Sequence, residues 1–162
     1  VLIMIEKTKY FLLLSFLIFN SCLNENIVFV NYNNIDGSWD KKNQIEFSFD
    51  SNETTVDLSL LIRSDSSYPF SNIYLITTID NNQNTIVDTI NHTFQNNNSK
   101  WYNLQSSGMN NSKILLKKNF KIFDGKFNFK VRHSIRYLDS VVAQTKLDGI
   151  LDVGLIVEKS VR

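Results

Sequence analysis

Apolar side chains recur at every second residue along most of this chain, and that period limits what it can become. Ile45, Phe47 and Phe49 alternate with polar residues, as do Val56, Leu58, Leu60 and Ile62. The pattern returns at Phe120 and Ile122, at Phe127, Phe129 and Val131, and at Leu151, Val153, Leu155 and Val157. A period of two sets one face of an extended strand in a core and the other in water. Residues 27–32, 72–80 and 85–90 are rich in β-branched and aromatic side chains and read as further strands. About eight strands with little helix predict an all-β fold, a two-sheet antiparallel β-sandwich of jelly-roll-like form.

Turn chemistry divides the strands without giving their order. Asp124-Gly125, between two alternating runs, is the clearest hairpin signal. Asp36-Gly37 and Asp148-Gly149 mark other turns, and residues 80–84 form a polar connector. Residues 95–111 read as a long polar loop holding Trp101 and Tyr102. Within 134–147, Ile135, Leu138 and Val142 fall near helical spacing, which predicts a short helix.

The N-terminus carries a different signal. Lys7 and Lys9 form a positive head, and residues 10–19 are apolar apart from Ser15. Ser21 then precedes Cys22, the only cysteine in the chain. Ten apolar residues make a helix of roughly 15 Å, half of a bilayer core of roughly 30 Å, so this is not a membrane span. It reads as a secretory signal of the bacterial lipoprotein kind, in which the cysteine is acylated and becomes the new N-terminus. The expected organisation is a signal peptide over 1–21, with translation starting at Met4. A lipidated tether follows over 22–26, then a β-sandwich domain over 27–162. A lone acylated cysteine leaves no disulfide, so the fold must rest on burial.

Charge excludes one class of partner. The chain has 17 basic and 16 acidic side chains. Removing 1–21 takes away Lys7, Lys9 and Glu6 and leaves 15 of each, with no field to attract nucleic acid. Lys117, Lys118 and Lys121 read as the solvated face of a strand. With 21 asparagines in the chain, Asn-x-Ser/Thr triplets arise by composition alone, and none is read as glycosylated.

Catalytic patterns are missing. His92 and His133 lie far apart without carboxylates or cysteines at ligand spacing, and both read as surface or strand-edge residues rather than metal ligands. No Gly-rich phosphate loop and no nucleophile elbow occurs. No catalytic residue, metal or cofactor is expected beyond the covalent lipid on Cys22. The aromatics beside loops, Trp39, Tyr68, Phe70, Trp101 and Tyr102, can stack on sugars, anchor a protein, or plug the ends of the sandwich. The plug role is the expectation carried forward. Arg63 closes an apolar strand before the only proline, where it can bond loop carbonyls or present charge to a partner.

Residues 58–77, LSLLIRSDSSYPFSNIYLIT, are less generic. With Gly37-Ser38-Trp39-Asp40, Asp88-Thr89 and LDVGLIVEK at 151–159, they resemble the gliding motility lipoprotein family called GldH, found in the Bacteroidetes. Arg63 and the Y-P-F-S-N turn from Tyr68 to Asn72 carry the match, and Cys22 stands where that family has its lipidated cysteine. Ser99 to Asn103 lacks the glycines the family keeps around its later Trp, and 136–147 is longer than expected. The resemblance implies a non-enzymatic envelope lipoprotein, anchored through its lipid and scaffolding the gliding machinery with other envelope proteins. Arg63, Tyr68, Asn72, Trp101 and Tyr102 are the candidate interaction surface. Thr89 and Ser140 resemble acceptors of that phylum's O-glycosylation. A glycan-binding lipoprotein, stacking sugars on Trp101, Tyr102 and Tyr68, is the alternative.

Overall fold

Ten strands make up most of the described residues. They are β1 (Ile27–Asn34), β2 (Ser38–Asp40), β3 (Ile45–Ser51), β4 (Thr55–Ser64) and β5 (Asn72–Asp80), then β6 (Thr85–Thr93), β7 (Asn110–Lys121), β8 (Gly125–His133), β9 (Lys146–Asp148) and β10 (Ile150–Lys159). The computed structural model describes residues 26–51, 55–81, 83–94, 109–122, 125–135 and 144–160. Cys22, Trp101, Tyr102 and Ser140 lie outside these residues.

Pairing is nested. β5 pairs with β6, β4 with β7, β3 with β8, β2 with β9 and β1 with β10, all antiparallel. The chain is thus one long hairpin, folded over so that β10 also pairs with β4 and β5 with β8. The result is two four-stranded sheets, β1-β10-β4-β7 and β3-β8-β5-β6, with β2-β9 as a short flap. This is jelly-roll topology, and the predicted sandwich stands.

Alternation builds the core as expected. β3 reads buried-exposed from Ile45 to Ser51, and Val56, Leu58, Leu60, Ile62, Phe127, Phe129, Val131, Val153, Leu155 and Val157 are all buried. The two sheets meet through Phe120 on Phe127 and through Phe29 stacked on Phe49 at 4.7 Å, which closes the β1–β3 side. On the opposite side, Lys117 of β7 bonds Asp88 of β6 at 3.0 Å. Phe29, Phe49 and the alternating rows around them supply the burial that a chain without disulfides requires.

Three expectations change. Asp124-Gly125 does not join a hairpin, because β7 and β8 belong to opposite sheets. Turn residues report that the chain reverses; they do not report whether it returns beside itself or across the core. The paired hairpin is β5–β6, where the Asn81 Oδ1 accepts the N–H groups of Gln83 and Asn84. Leu151 is not the inward residue at the start of β10. A bulge between Ile150 and Asp152 shifts the phase, so Ile150 is fully buried and Leu151 is the extra residue. The short helix expected within 134–147 falls on 136–143, which lie outside the described residues; Leu147 sits in β9. Asn110 and Asn111, expected in a loop, already belong to β7.

Candidate functional site

Three of the stretches that carry the family resemblance are far apart in sequence and meet at one end of the sandwich, while Asp88-Thr89 lies apart on β6. β4 and β10 lie side by side in sheet order, so the Leu58–Ser64 and Ile150–Lys159 segments pair directly, with Arg63 opposite Asp152. The Arg63 guanidinium bonds the Asp152 carboxylate, rather than the loop carbonyls expected from its position. Three turns gather beyond this pair. Gly149 N–H donates to the Gly37 carbonyl at 2.8 Å, Asp65 N–H to the Gly149 carbonyl at 2.9 Å, and Ile35 N–H to the Leu151 carbonyl at 2.8 Å. The Ser38 hydroxyl adds a bond to Asp148 at 2.7 Å.

Backbone geometry explains the glycines here. Asp36, Gly37 and Gly149 all take positive φ, at 56°, 83° and 82°. A Cβ on Gly149 would stand 2.3 Å from the Tyr68 nitrogen, whereas one on Gly37 would meet nothing. Gly149 is therefore required for contact and conformation together, Gly37 for conformation alone.

The Y-P-F-S-N turn seals the corner. Asp65 accepts both the N–H and the hydroxyl of Ser67, which hold its carboxyl below the usual carboxylate range. Tyr68 is half-buried, edge-on to Phe70 and Phe94, and its hydroxyl donates to the Asn72 carbonyl at 2.8 Å. Burial pushes its phenol well above the ordinary value. Asn72 lies on β5, and its amide donates to Asn91 of β6, which in turn donates to the Tyr74 hydroxyl. The structure thus brings Arg63, Tyr68 and Asn72 to one end. Thr89 stands apart, exposed on edge strand β6, with its N–H bonded to Asp88.

Beneath the corner, Trp39 is completely buried, as a plug, with its indole N–H donated to the Asn43 carbonyl at 2.8 Å. His133 packs edge-on to that indole. It is fully buried, which corrects its reading as a surface residue. The signal was present: Phe127, Phe129, Val131 and His133 continue one inward period-two row. Nε2 lies 3.0 Å from the Trp39 carbonyl, which can only accept, so Nε2 carries the proton and the buried Nδ1 has no partner among the described residues.

Burial lowers the His133 pKa, with the Trp39 carbonyl opposing. The unfolded chain takes up a proton near the ordinary imidazole value of about 6.5, while the folded chain resists it. Stability is therefore complete above that value and declines as pH falls below it. The urea midpoint is expected to drop between pH 7 and pH 5, before the carboxylates titrate. His133→Phe should reduce that slope and leave the part due to His92, whose pKa burial also lowers; an unchanged slope would refute the assignment.

No group of three or more His, Cys, Asp or Glu at metal-holding distance occurs among the described residues. The class defined by this fold is a jelly-roll domain whose shared motifs lock turns together at one end. The chain belongs to the GldH lipoprotein family, whose model matches residues 27–157. It is 29% identical over 155 residues to the gliding motility lipoprotein GldH homolog of Christiangramia forsetii, covering 93% of this chain and 94% of that one. It is 27% identical to gliding motility lipoprotein GldH of Flavobacterium johnsoniae, covering 94% and 97%. Among solved structures, a family GH115 4-O-methyl-α-glucuronidase aligns with a TM-score of 0.45 at 14% identity, over 86% of this chain and 18% of that enzyme.

Proposed function

We propose that this chain is a lipid-anchored envelope protein that serves gliding motility as a non-enzymatic scaffold, contacting other envelope proteins of the gliding machinery. Membership of the GldH lipoprotein family supports the anchoring and the link to gliding. One observation carries the scaffold role. Polar groups of the shared motifs bond one another, Arg63 to Asp152, Ser67 to Asp65 and Tyr68 to the Asn72 carbonyl, and Ser38 bonds the neighbouring Asp148. Side chains so engaged hold shape; a catalytic constellation keeps groups aimed at a reacting atom.

The covalent lipid on Cys22 is the only added group this role needs. The glycan reading loses support from Tyr68, whose ring and hydroxyl are engaged within the chain. It then rests on Trp101 and Tyr102. O-glycosylation at Thr89 is compatible with its exposure, and intact-mass analysis without added sugar would remove it.

The test is gene deletion followed by restoration with wild-type or Cys22→Ala copies. Colony spreading and single-cell movement should be lost and return only with the copy that can be lipidated. Normal gliding in the deletion would sink the proposal.

A further inference from the structure

The flap of β2 and β9 is held shut by few groups. Its strands have three residues each and lie outside both large sheets. A two-stranded ribbon of that length has little stability of its own. Trp39 and its cross-strand partner Leu147, both completely buried, seat it on the core. Regions with few buried contacts open locally, at less cost than unfolding the whole domain.

His133 lies beneath this flap. Its Nε2 proton is donated to the Trp39 carbonyl at 3.0 Å, so one imidazole ties β2 to the end of β8. The ring is fully buried and edge-on to the indole, and Nδ1 has no partner among the described residues. A neutral imidazole suits the site, because a lone pair left unbonded costs far less than a buried charge. A second proton does not suit it. Both nitrogens of an imidazolium are donors, and the one on Nδ1 would be buried, charged and unbonded. The charged groups that face the ring are Asp40 of β2, Lys41 after it, and Arg132 of β8. Asp40 favours the imidazolium, and the two cations oppose it. β5 sets Leu75 opposite His133, and β9 sets Leu147 opposite Trp39, so neither strand adds a charge at these positions.

We propose that the flap is a pH-sensitive closure, shut over Trp39 while His133 is neutral and opened locally when His133 takes up its second proton. Opening lets Nδ1 reach water, so the open flap binds that proton near the ordinary imidazole value of about 6.5. Closure is complete above that value and weakens as pH falls below it. Where the shut form takes no proton, the opening constant rises by roughly 25-fold between pH 7 and pH 5. Gly149 N–H donates to the Gly37 carbonyl, so the opening flap pulls on the corner that holds Arg63 and Asp152. Acid thereby loosens the end of the domain where the shared motifs meet.

Amide hydrogen exchange of the full chain, read as protection factors at pH 7 and pH 5 in low urea, tests this. The Lys41 N–H, donated to the Thr145 carbonyl at 2.7 Å, reports on the flap, and the β4–β10 ladder reports on global unfolding. Lys41 should exchange sooner than the ladder, at a rate indifferent to low urea. Its protection should fall by roughly 25-fold between pH 7 and pH 5. His133→Gln keeps an N–H for the Trp39 carbonyl but has no proton to gain, so Lys41 should then hold its protection at pH 5. His133→Phe, equally unable to gain a proton, replaces it if His133→Gln does not fold. Three results overturn the proposal. Lys41 exchanging only with the ladder, at the same protection and urea dependence, would leave no local opening. Lys41 protection equal at the two pH values would leave no switch. The full loss persisting without the imidazole would place the switch elsewhere. The first two are read on the wild-type chain alone.

Discussion

Gly149→Ala is expected to destabilise the domain by about 3 kcal/mol or more and lower its melting temperature by roughly 10 °C. Left-handed φ alone costs a non-glycine residue about 1–2 kcal/mol. The remainder comes from contact, since the new Cβ would lie 2.3 Å from the Tyr68 nitrogen and 2.6 Å from its Cα. Backbone cannot swing aside as a side chain can. If the 65–71 loop lifts, the Asp65 hydrogen bond to Gly149 is lost; if the β9–β10 turn moves, the Gly37 bond to Gly149 is lost as well. Gly37→Ala supplies the comparison, because Gly37 has nearly the same φ and nothing within 4 Å of a Cβ. It should cost only about 1–2 kcal/mol. Thermal unfolding of the two variants reads the difference, and equal losses would show that close approach to Tyr68 contributes nothing.

Trp39→Ala is expected to cost about 3–5 kcal/mol, the range for removing a large buried aromatic. The indole is fully buried beneath the corner and packs against His133 with ring centroids 5.4 Å apart. Its loss opens a cavity under the flap formed by β2 and β9. Trp39→Phe should cost about 1–2 kcal/mol, because most of the apolar volume stays and the freed Asn43 carbonyl is near solvent. Urea unfolding gives both values. A small loss for Trp39→Ala would mean that the flap collapses onto the gap or contributes little to the fold.

These two residues differ in how visible they were. Trp39 stands in the sequence as an aromatic beside a turn, and the plug role was one of three open to it there. Gly149 was visible only as half of an Asp-Gly turn. That it must be glycine depends on Tyr68, 81 positions earlier, and no local pattern encodes such a contact. The same holds for Arg63, whose partner Asp152 is 89 residues away in the other shared motif. His133 could have been found by extending an alternating row two residues further.

Local periodicity determined that this chain is all-β and which side chains enter the core, because a strand alternates its faces whatever it pairs with. The same local chemistry marked its reversals, at Asp36-Gly37, Asp148-Gly149 and 80–84. Tertiary structure alone decided the nesting of the strands, the separation of β7 from β8, the phase shift at Leu151 and the meeting of three turns at Gly149. It also decided that Val30 and Tyr32 face outward. Each of these depends on which strand lies beside which, and that choice is settled by burying every apolar face at once rather than by any one segment.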